Sequence, residues 1–164
     1  MTTETTPPPL THLLETCLYV RDVQASRKFY EDALNIKPFM QSPRSAGFSL
    51  GSTTLLLFQL GQTGTDIISP SGVIPHHGPS AQILAQLHAT DAGPGADSGA
   101  SLKQHFCLAV QSPDDVAQWD AYLQAKGIQI LSRMNWERGG KSVYFADLDG
   151  HVAEIGSRGI WPHY

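Results

Sequence analysis

The chain has 164 residues, 41% hydrophobic and 16% charged, enough for one domain or two small modules around a sizeable core. Its 11 basic and 15 acidic residues leave a formal net charge of −4, a balance that argues against nucleic acid or an anionic membrane as partner. Two cysteines, Cys17 and Cys107, exclude a disulfide scaffold; neither sits in a CxxC pair, and both read as small buried thiols in a reducing compartment.

The first residues, MTTETTPPPLTH, form a polar, Pro-rich arm, expected to be disordered over 1–12, without the basic and apolar regions of a secretory signal. No apolar run reaches membrane-spanning length, so a cytoplasmic protein is expected. LLETCLYV, 13–20, alternates like a strand and runs into a helix over 23–36, capped by Asp22. Phe29 and Tyr30 are adjacent in that helix, so only one points fully inward. AGFSLGSTTLLLFQL, 46–60, reads as a hairpin turning near Gly51–Thr53.

Residues 61–104 read as a linker. GVIPHHGPS, 72–80, is turn-rich and a candidate for order near a pocket; ILAQLH, 83–88, has helical character; and 91–101 is a Gly, Ser and Ala run expected to be flexible. HFCLAV, 105–110, is again strand-like. Ser112, Pro113 and Gly127 mark the start and stop of a second helix. IQIL, 128–131, and SVYFADLDGHVAEI, 142–155, supply further strands, with DLDG as the turn.

The second half repeats the first. Residues 15–20 lie over 105–110, and 47–58 over 144–155, with loop insertions taking up the difference. The expected fold is α+β: two βαβββ modules, 13–60 and 105–164, paired so that neither leaves a sheet face bare. By strand alternation Glu15, Cys17 and Tyr19 share one face, as do His105, Cys107 and Ala109, and as do Val152 and Glu154. Glu15 and His105 are repeat-equivalent, while the counterpart of Glu154 is Leu57, which cannot coordinate.

Glu15, His105 and Glu154 form a coherent ligand set. Two carboxylates would repel unless a cation lay between them, and each is costly to bury alone. One divalent ion is therefore expected, with open positions for water or substrate. Oxygen and nitrogen ligands suit zinc, manganese, nickel, cobalt or iron without choosing among them. Cys17 and Cys107 are poor rivals, since two residues along a strand span about 7 Å. His76 and His77 follow Pro75 and are candidates for a pocket mouth; His77 is the candidate general base. Tyr19, Phe48 and Trp136 are candidate pocket walls, with Arg138 and Lys141 placed to hold an anionic or polar substrate. No GxGxxG or GxxxxGK[ST] pattern is present in the sequence.

The runs LLETCLYVRDVQASRKFYEDALNI, HFCLAV and KSVYFADLDGHVAEI resemble the paired modules of the glyoxalase, bleomycin-resistance and extradiol-dioxygenase superfamily, the vicinal oxygen chelate proteins. GIWPHY at 159–164 and VIPHHG resemble features of an unassigned glyoxalase-like subgroup. The resemblance implies a cupped, barrel-like mixed sheet with helices outside, and a metal held by first and last module strands. It places His105 and Glu154 at ligand positions. Glu15 stands where histidine or glutamine is usual, and Leu57 where glyoxalase I has glutamate. The chain thus departs from glyoxalase I and from the dioxygenase iron triad. It implies a metal-dependent, redox-neutral isomerase or lyase acting on a small oxygen-rich or anionic substrate, with the ion stabilising an enediolate or alkoxide and Glu15 as a base. A non-catalytic binding or resistance protein and a ring-cleaving dioxygenase are the alternatives. A homodimer is expected, with the cup built inside one chain or by modules exchanged between chains.

Overall fold

The computed structural model describes residues 7–89 and 101–164. The beginning of the arm over 1–12, and the 91–101 segment except Ser101, lie outside the described residues. The chain order is β1 (Glu15–Val20), α1 (Val23–Leu34), β2 (Pro38–Gln41), β3 (Ser45–Leu50), β4 (Thr53–Gln59), β5 (Ile67–Ser69), β6 (Gly72–Ile74), α2 (Ala81–Ala89), β7 (His105–Val110), α3 (Pro113–Ala125), β8 (Ile130–Asn135), β9 (Lys141–Ala146) and β10 (Val152–Ser157).

Local chemistry sets the helix ends. The Asp22 carboxylate accepts from the N–H groups of Gln24 and Ala25, and Asn35 closes α1 in the left-handed region at φ 52°. Ser112 and Asp115 form a reciprocal capping box on α3, with Pro113 at its first turn. β2 was not legible in the sequence: it is a four-residue edge strand beginning at Pro38, the kind of position that tolerates a missing N–H. Between the modules, β5 and β6 pair as a small hairpin and α2 follows.

The modules have the same topology. Their sheets run β1-β4-β3-β2 and β7-β10-β9-β8, with β1 parallel to β4 and β7 parallel to β10. The two sheets stay separate, and no closed barrel forms within the chain.

One core joins them. Leu18, Val20, Phe48, Leu55 and Leu57 from the first sheet pack with α1 and α3, and with Val143, Phe145, Ala153 and Ile155 from the second. Helix α1 reaches both modules. Tyr30 is fully buried between Phe48 and Phe106, ring centroids 6.4 and 6.2 Å away, while half-buried Phe29 lies 6.5 Å from Phe145.

The turn between β9 and β10 clasps the first module. Asp147 Oδ2 accepts from the Tyr30 hydroxyl at 2.8 Å, and its Oδ1 accepts from the N–H groups of Asp149 and His151. Asp149 accepts from the Arg21 N–H and guanidinium and from the Ser26 hydroxyl. The fully buried His151 bonds the Tyr19 carbonyl through Nε2 at 3.0 Å, and its Nδ1 accepts from the Gln104 N–H. Edge strands β1 and β7 meet at Gln104, whose side chain accepts from the Tyr19 N–H and donates to the Cys17 carbonyl.

Because both sheets put their helix-side faces into this shared core, alternation leaves the opposite faces turned away from it. That sets the register of the repeat. Cys17 pairs with Leu56, and Cys107 with Glu154, so the counterpart of Glu154 is Leu56, not Leu57. The β9–β10 turn is one residue longer than the β3–β4 turn, judged from the pairs Ala146–Val152 and Ser49–Thr54. Leu57 points into the core and is fully buried. The correction leaves the chemistry unchanged, since Leu56 cannot coordinate either.

Candidate functional site

The outward face of the second sheet carries His105, Cys107, Ser142, Tyr144 and Glu154. His105 Nε2 lies 3.3 Å from Glu154 Oε2. The other ring nitrogen, Nδ1, is 3.0 Å from the Val152 carbonyl. A carbonyl only accepts, so Nδ1 carries the proton and Nε2 is left to meet the carboxylate. Two acceptors face one another there unless a second proton or a cation joins them. Glu154 is buried, and its other oxygen accepts from the Ser142 hydroxyl, which in turn accepts from Trp136 Nε1 at 2.8 Å.

This cluster shapes its neighbours. Although Cys107 is an exposed residue, desolvation of its thiol where it packs beside Glu154, and then the Glu154 charge, push the thiol up to about 12; desolvation and the same charge hold the Tyr144 phenol above its ordinary range. Both stay protonated near neutrality. Gly156, on the same face of β10 as Glu154, leaves room for the end of the Ile160 side chain from the C-terminal segment, which an added Cβ would have to displace. The segment is anchored by the Tyr164 hydroxyl, which donates to the Val110 carbonyl at 2.9 Å.

The outward face of the first sheet forms a cleft of about 610 Å³. Glu15, Cys17, Tyr19, Phe58, Arg44 and His77 are among its lining residues. The Tyr19 hydroxyl is 2.5 Å from His77 Nδ1. Burial, reinforced by Cys17, holds that phenol well above its ordinary range, so it stays protonated near neutrality. The His77 loop is tied down by its N–H to the Thr63 carbonyl at 3.0 Å and by the Thr63 hydroxyl to the His77 carbonyl at 2.6 Å.

The residues singled out by sequence are therefore divided. His105 and Glu154 come together, with Trp136 behind them. Glu15, Tyr19 and His77 line one cleft on the first sheet, with Tyr19 and His77 hydrogen-bonded to each other and Glu15 four residues along β1 from Tyr19. Glu15 is exposed and shares its cleft with neither His105 nor Glu154. Among the described residues no group of three or more His, Cys, Asp or Glu side chains is placed to hold one ion. A three-ligand centre inside one chain is thus not formed. Glu15 lies on the open face of one sheet and the His105–Glu154 pair on the open face of the other, the two sheets being joined through the core on their helix sides.

Other expectations also change. Phe48 is fully buried on the core face of β3, not in a pocket. Lys141 alternates with Val143 and Phe145 and so falls on the face opposite Glu154. Arg138 is exposed in the β8–β9 turn, and His76 is exposed and bonds Asp66 through both its N–H and Nδ1. Cys17 is half-buried and Cys107 exposed, because both sit on the open faces. Ser142 and Tyr144 were missed. They share Glu154's face through the antiparallel pairs Glu154–Tyr144 and Gly156–Ser142, a signal readable once the turn length is known.

Comparison with known proteins agrees with this architecture. A sequence profile of the Glyoxalase/Bleomycin resistance protein/Dioxygenase superfamily matches residues 10–155. A lactoylglutathione lyase from Agrobacterium tumefaciens is similar in structure, with a TM-score of 0.74 at 24% identity over 94% of this chain and 99% of that one. A glyoxalase/bleomycin resistance protein/dioxygenase from Nocardioides gives 0.59 at 19% identity, over 94% and 86% of the two chains. A glyoxalase-related enzyme from Fulvimarina pelagi gives 0.58 at 20%, over 93% and 92%. At these identities the likeness is one of fold. Among the described residues no helix is long and apolar enough to cross a membrane. With the profile spanning most of its length, the chain belongs to the Glyoxalase/Bleomycin resistance protein/Dioxygenase superfamily.

Proposed function

We propose that two copies of this chain together hold a divalent cation, Glu15 of one with His105 and Glu154 of the other, and that the assembly catalyses a redox-neutral isomerase- or lyase-type reaction on a small oxygen-bearing substrate. The observation that carries the reading is the His105–Glu154 pair. Its imidazole is fixed by Val152 with the Nε2 lone pair presented to a buried carboxylate 3.3 Å away. Buried second partners of this kind are what orient metal-binding side chains. The donor set, one imidazole and two carboxylates, suits zinc, manganese, nickel, cobalt or iron.

Two chains are invoked because each outward face is half of a site. The first sheet offers a carboxylate and a cleft, the second a histidine and a buried carboxylate. Exposed apolar side chains accompany both: Phe39 on β2, Leu131 and Met134 on β8, and Trp161 in the C-terminal segment. A homodimer that lays one face over the other covers them.

A bound cation would supply positive charge where an oxyanion develops in the substrate. The chain's own groups do the rest. Ser142 and Trp136 hold Glu154 in place. The Tyr19 hydroxyl is hydrogen-bonded to His77 Nδ1 and holds the ring in place. His77 is the candidate for moving a proton on the substrate, and Glu15 the candidate base if it leaves the cation. Cytoplasmic conditions would keep Cys17 and Cys107 as thiols.

A second reading rests on the first-sheet cleft, which is large enough for a small molecule with no ion present. In that case the protein binds and sequesters its ligand. Metal analysis of the purified protein, with thermal shift on adding Zn²⁺, Mn²⁺, Co²⁺ or Ni²⁺, separates the two. The catalytic reading expects one ion per chain, lost in His105→Ala and Glu154→Gln and weakened in Glu15→Gln. An ion-free protein that no divalent cation stabilises would leave the binding reading.

A further inference from the structure

We infer that the first-sheet cleft takes an amphipathic anion, a molecule whose negatively charged end pairs with Arg44 and whose apolar body runs along the strands toward Glu15. This names the substrate class of the proposed site and rests on that reading only for what happens at the Glu15 end. The strand register divides the cleft into three rows. The row Glu15–Thr54–Ser49 lies at one end. The middle row is Cys17–Leu56–Gly47–Met40. The row Tyr19–Phe58–Ser45 lies at the other end, where Arg44 enters β3 and accepts from the Gln59 N–H through its carbonyl.

Glu15 and Tyr19 are four residues apart on one strand, about 13 Å. The space between them is apolar. Gly47 has no side chain, and Met40 and Phe39 fold over it: an added Cβ would lie 2.8 Å from Met40 Cγ and 3.0 Å from Phe39 Cζ. Leu56 forms the floor, and Ile67 and Ile74 of the β5–β6 hairpin are further apolar lining. At the far end Phe58 and Tyr19 stack with centroids 6.3 Å apart.

Charge settles the polarity of the ligand. Arg44 is the one basic side chain other than histidine among the residues lining this cleft. It is exposed, and no ion pair among the described residues engages it. Glu15 opposes a second anionic group at its own end. A neutral apolar ligand would leave Arg44 without a counter-charge, and a small polar ligand would leave the middle row uncovered. An anion with an apolar body satisfies both.

Isothermal titration of the metal-free protein, kept in chelator, with hexanoate, octanoate, decanoate and the neutral decanamide tests this. Affinity should rise about twofold to fourfold per added methylene. Arg44→Gln should weaken decanoate binding about fivefold and leave decanamide binding unchanged. Lys28→Gln, at an exposed position on α1 outside the cleft, should keep the decanoate affinity. The inference is overturned if Arg44→Gln leaves decanoate binding unaltered, or if decanamide binds the wild-type chain as tightly as decanoate. Loss of the ion in His105→Ala is read separately by metal analysis, so failure of the metal centre and failure of the anion assignment give different results.

Discussion

Replacing Tyr30 by Phe removes one hydrogen atom donor from the clasp between the modules and changes little else in shape. Its hydroxyl donates to Asp147 Oδ2 at 2.8 Å, and both residues are buried. The other Asp147 oxygen keeps its bonds from the N–H groups of Asp149 and His151, so the variant leaves one carboxylate oxygen without its partner. A hydrogen bond to a charged group, lost in this way, costs about 2 kcal/mol. For a chain of this size that lowers the melting temperature by about 4–8 °C.

The effect should depend on pH in a defined direction. Burial holds the Asp147 carboxyl above its ordinary value, with His151 and the Tyr30 hydroxyl pulling the other way. A carboxyl raised in the folded state binds its proton more tightly there than in the unfolded chain. Its contribution to stability is therefore largest below the unfolded value, near pH 4, and is lost as pH rises through the folded value. Removing the hydroxyl removes a group that favours the charged form, so Tyr30→Phe should hurt more at pH 7 than near pH 4. Thermal unfolding followed by circular dichroism at both pH values reads this directly. A melting temperature within about 1 °C of wild type at pH 7, or an equal drop at both pH values, would refute the reasoning from buried hydrogen bonding.

Ser142→Ala should free Glu154 from the Trp136–Ser142 chain and weaken divalent-cation binding about tenfold or more in a metal titration, while the ion-free protein keeps its circular dichroism spectrum. Gly140→Ala should drive a Cβ into the backbone of the C-terminal segment, 2.6 Å from Gly159 C and 2.7 Å from Ile160 N, at a cost of about 1–3 kcal/mol; an unchanged melting temperature would mean that the segment is not seated against the β8–β9 turn. Ser112→Ala should cost about 1 kcal/mol in urea unfolding, because it removes the hydroxyl that accepts from the Asp115 N–H and leaves only the Ser112 N–H to Asp115 carboxylate half of the α3 capping box.

The parts of the fold readable from sequence were those written in local chemistry. Asp22, Ser112 and Pro113 each carry a cap or first-turn signal that works within a few residues, and the hairpin around Gly51 carries a turn signal. β2, β5 and β6 are only four, three and three residues long, too short for alternation to stand out. The register of the last strand was misread because a single extra residue in the β9–β10 turn moves every later side chain to the opposite face. That one residue decides whether Leu56 or Leu57 matches Glu154.

The candidate site was half legible. That His105 and Glu154 lie side by side was legible from their faces, since β7 and β10 are neighbours within one module. Glu15 belongs to another sheet, and its distance from them depends on how α1 packs. Phe29 and Tyr30 carried that information in a form alternation does not decode. Both rings touch the second module, which draws the helix sides of the two sheets into one core. The motif residues Asp147, Asp149 and His151 spend their polar groups on this packing and not on the site.

The central claim is that Glu15 of one chain completes the His105–Glu154 pair of another. Co-expressing Glu15→Ala and His105→Ala chains and measuring bound divalent metal tests it most directly. Neither variant alone should retain the ion. In a two-chain site, random pairing restores one intact centre in each mixed dimer, and the mixture should hold metal at about a quarter of the wild-type sites. A mixture that binds no more metal than either variant alone would contradict the account.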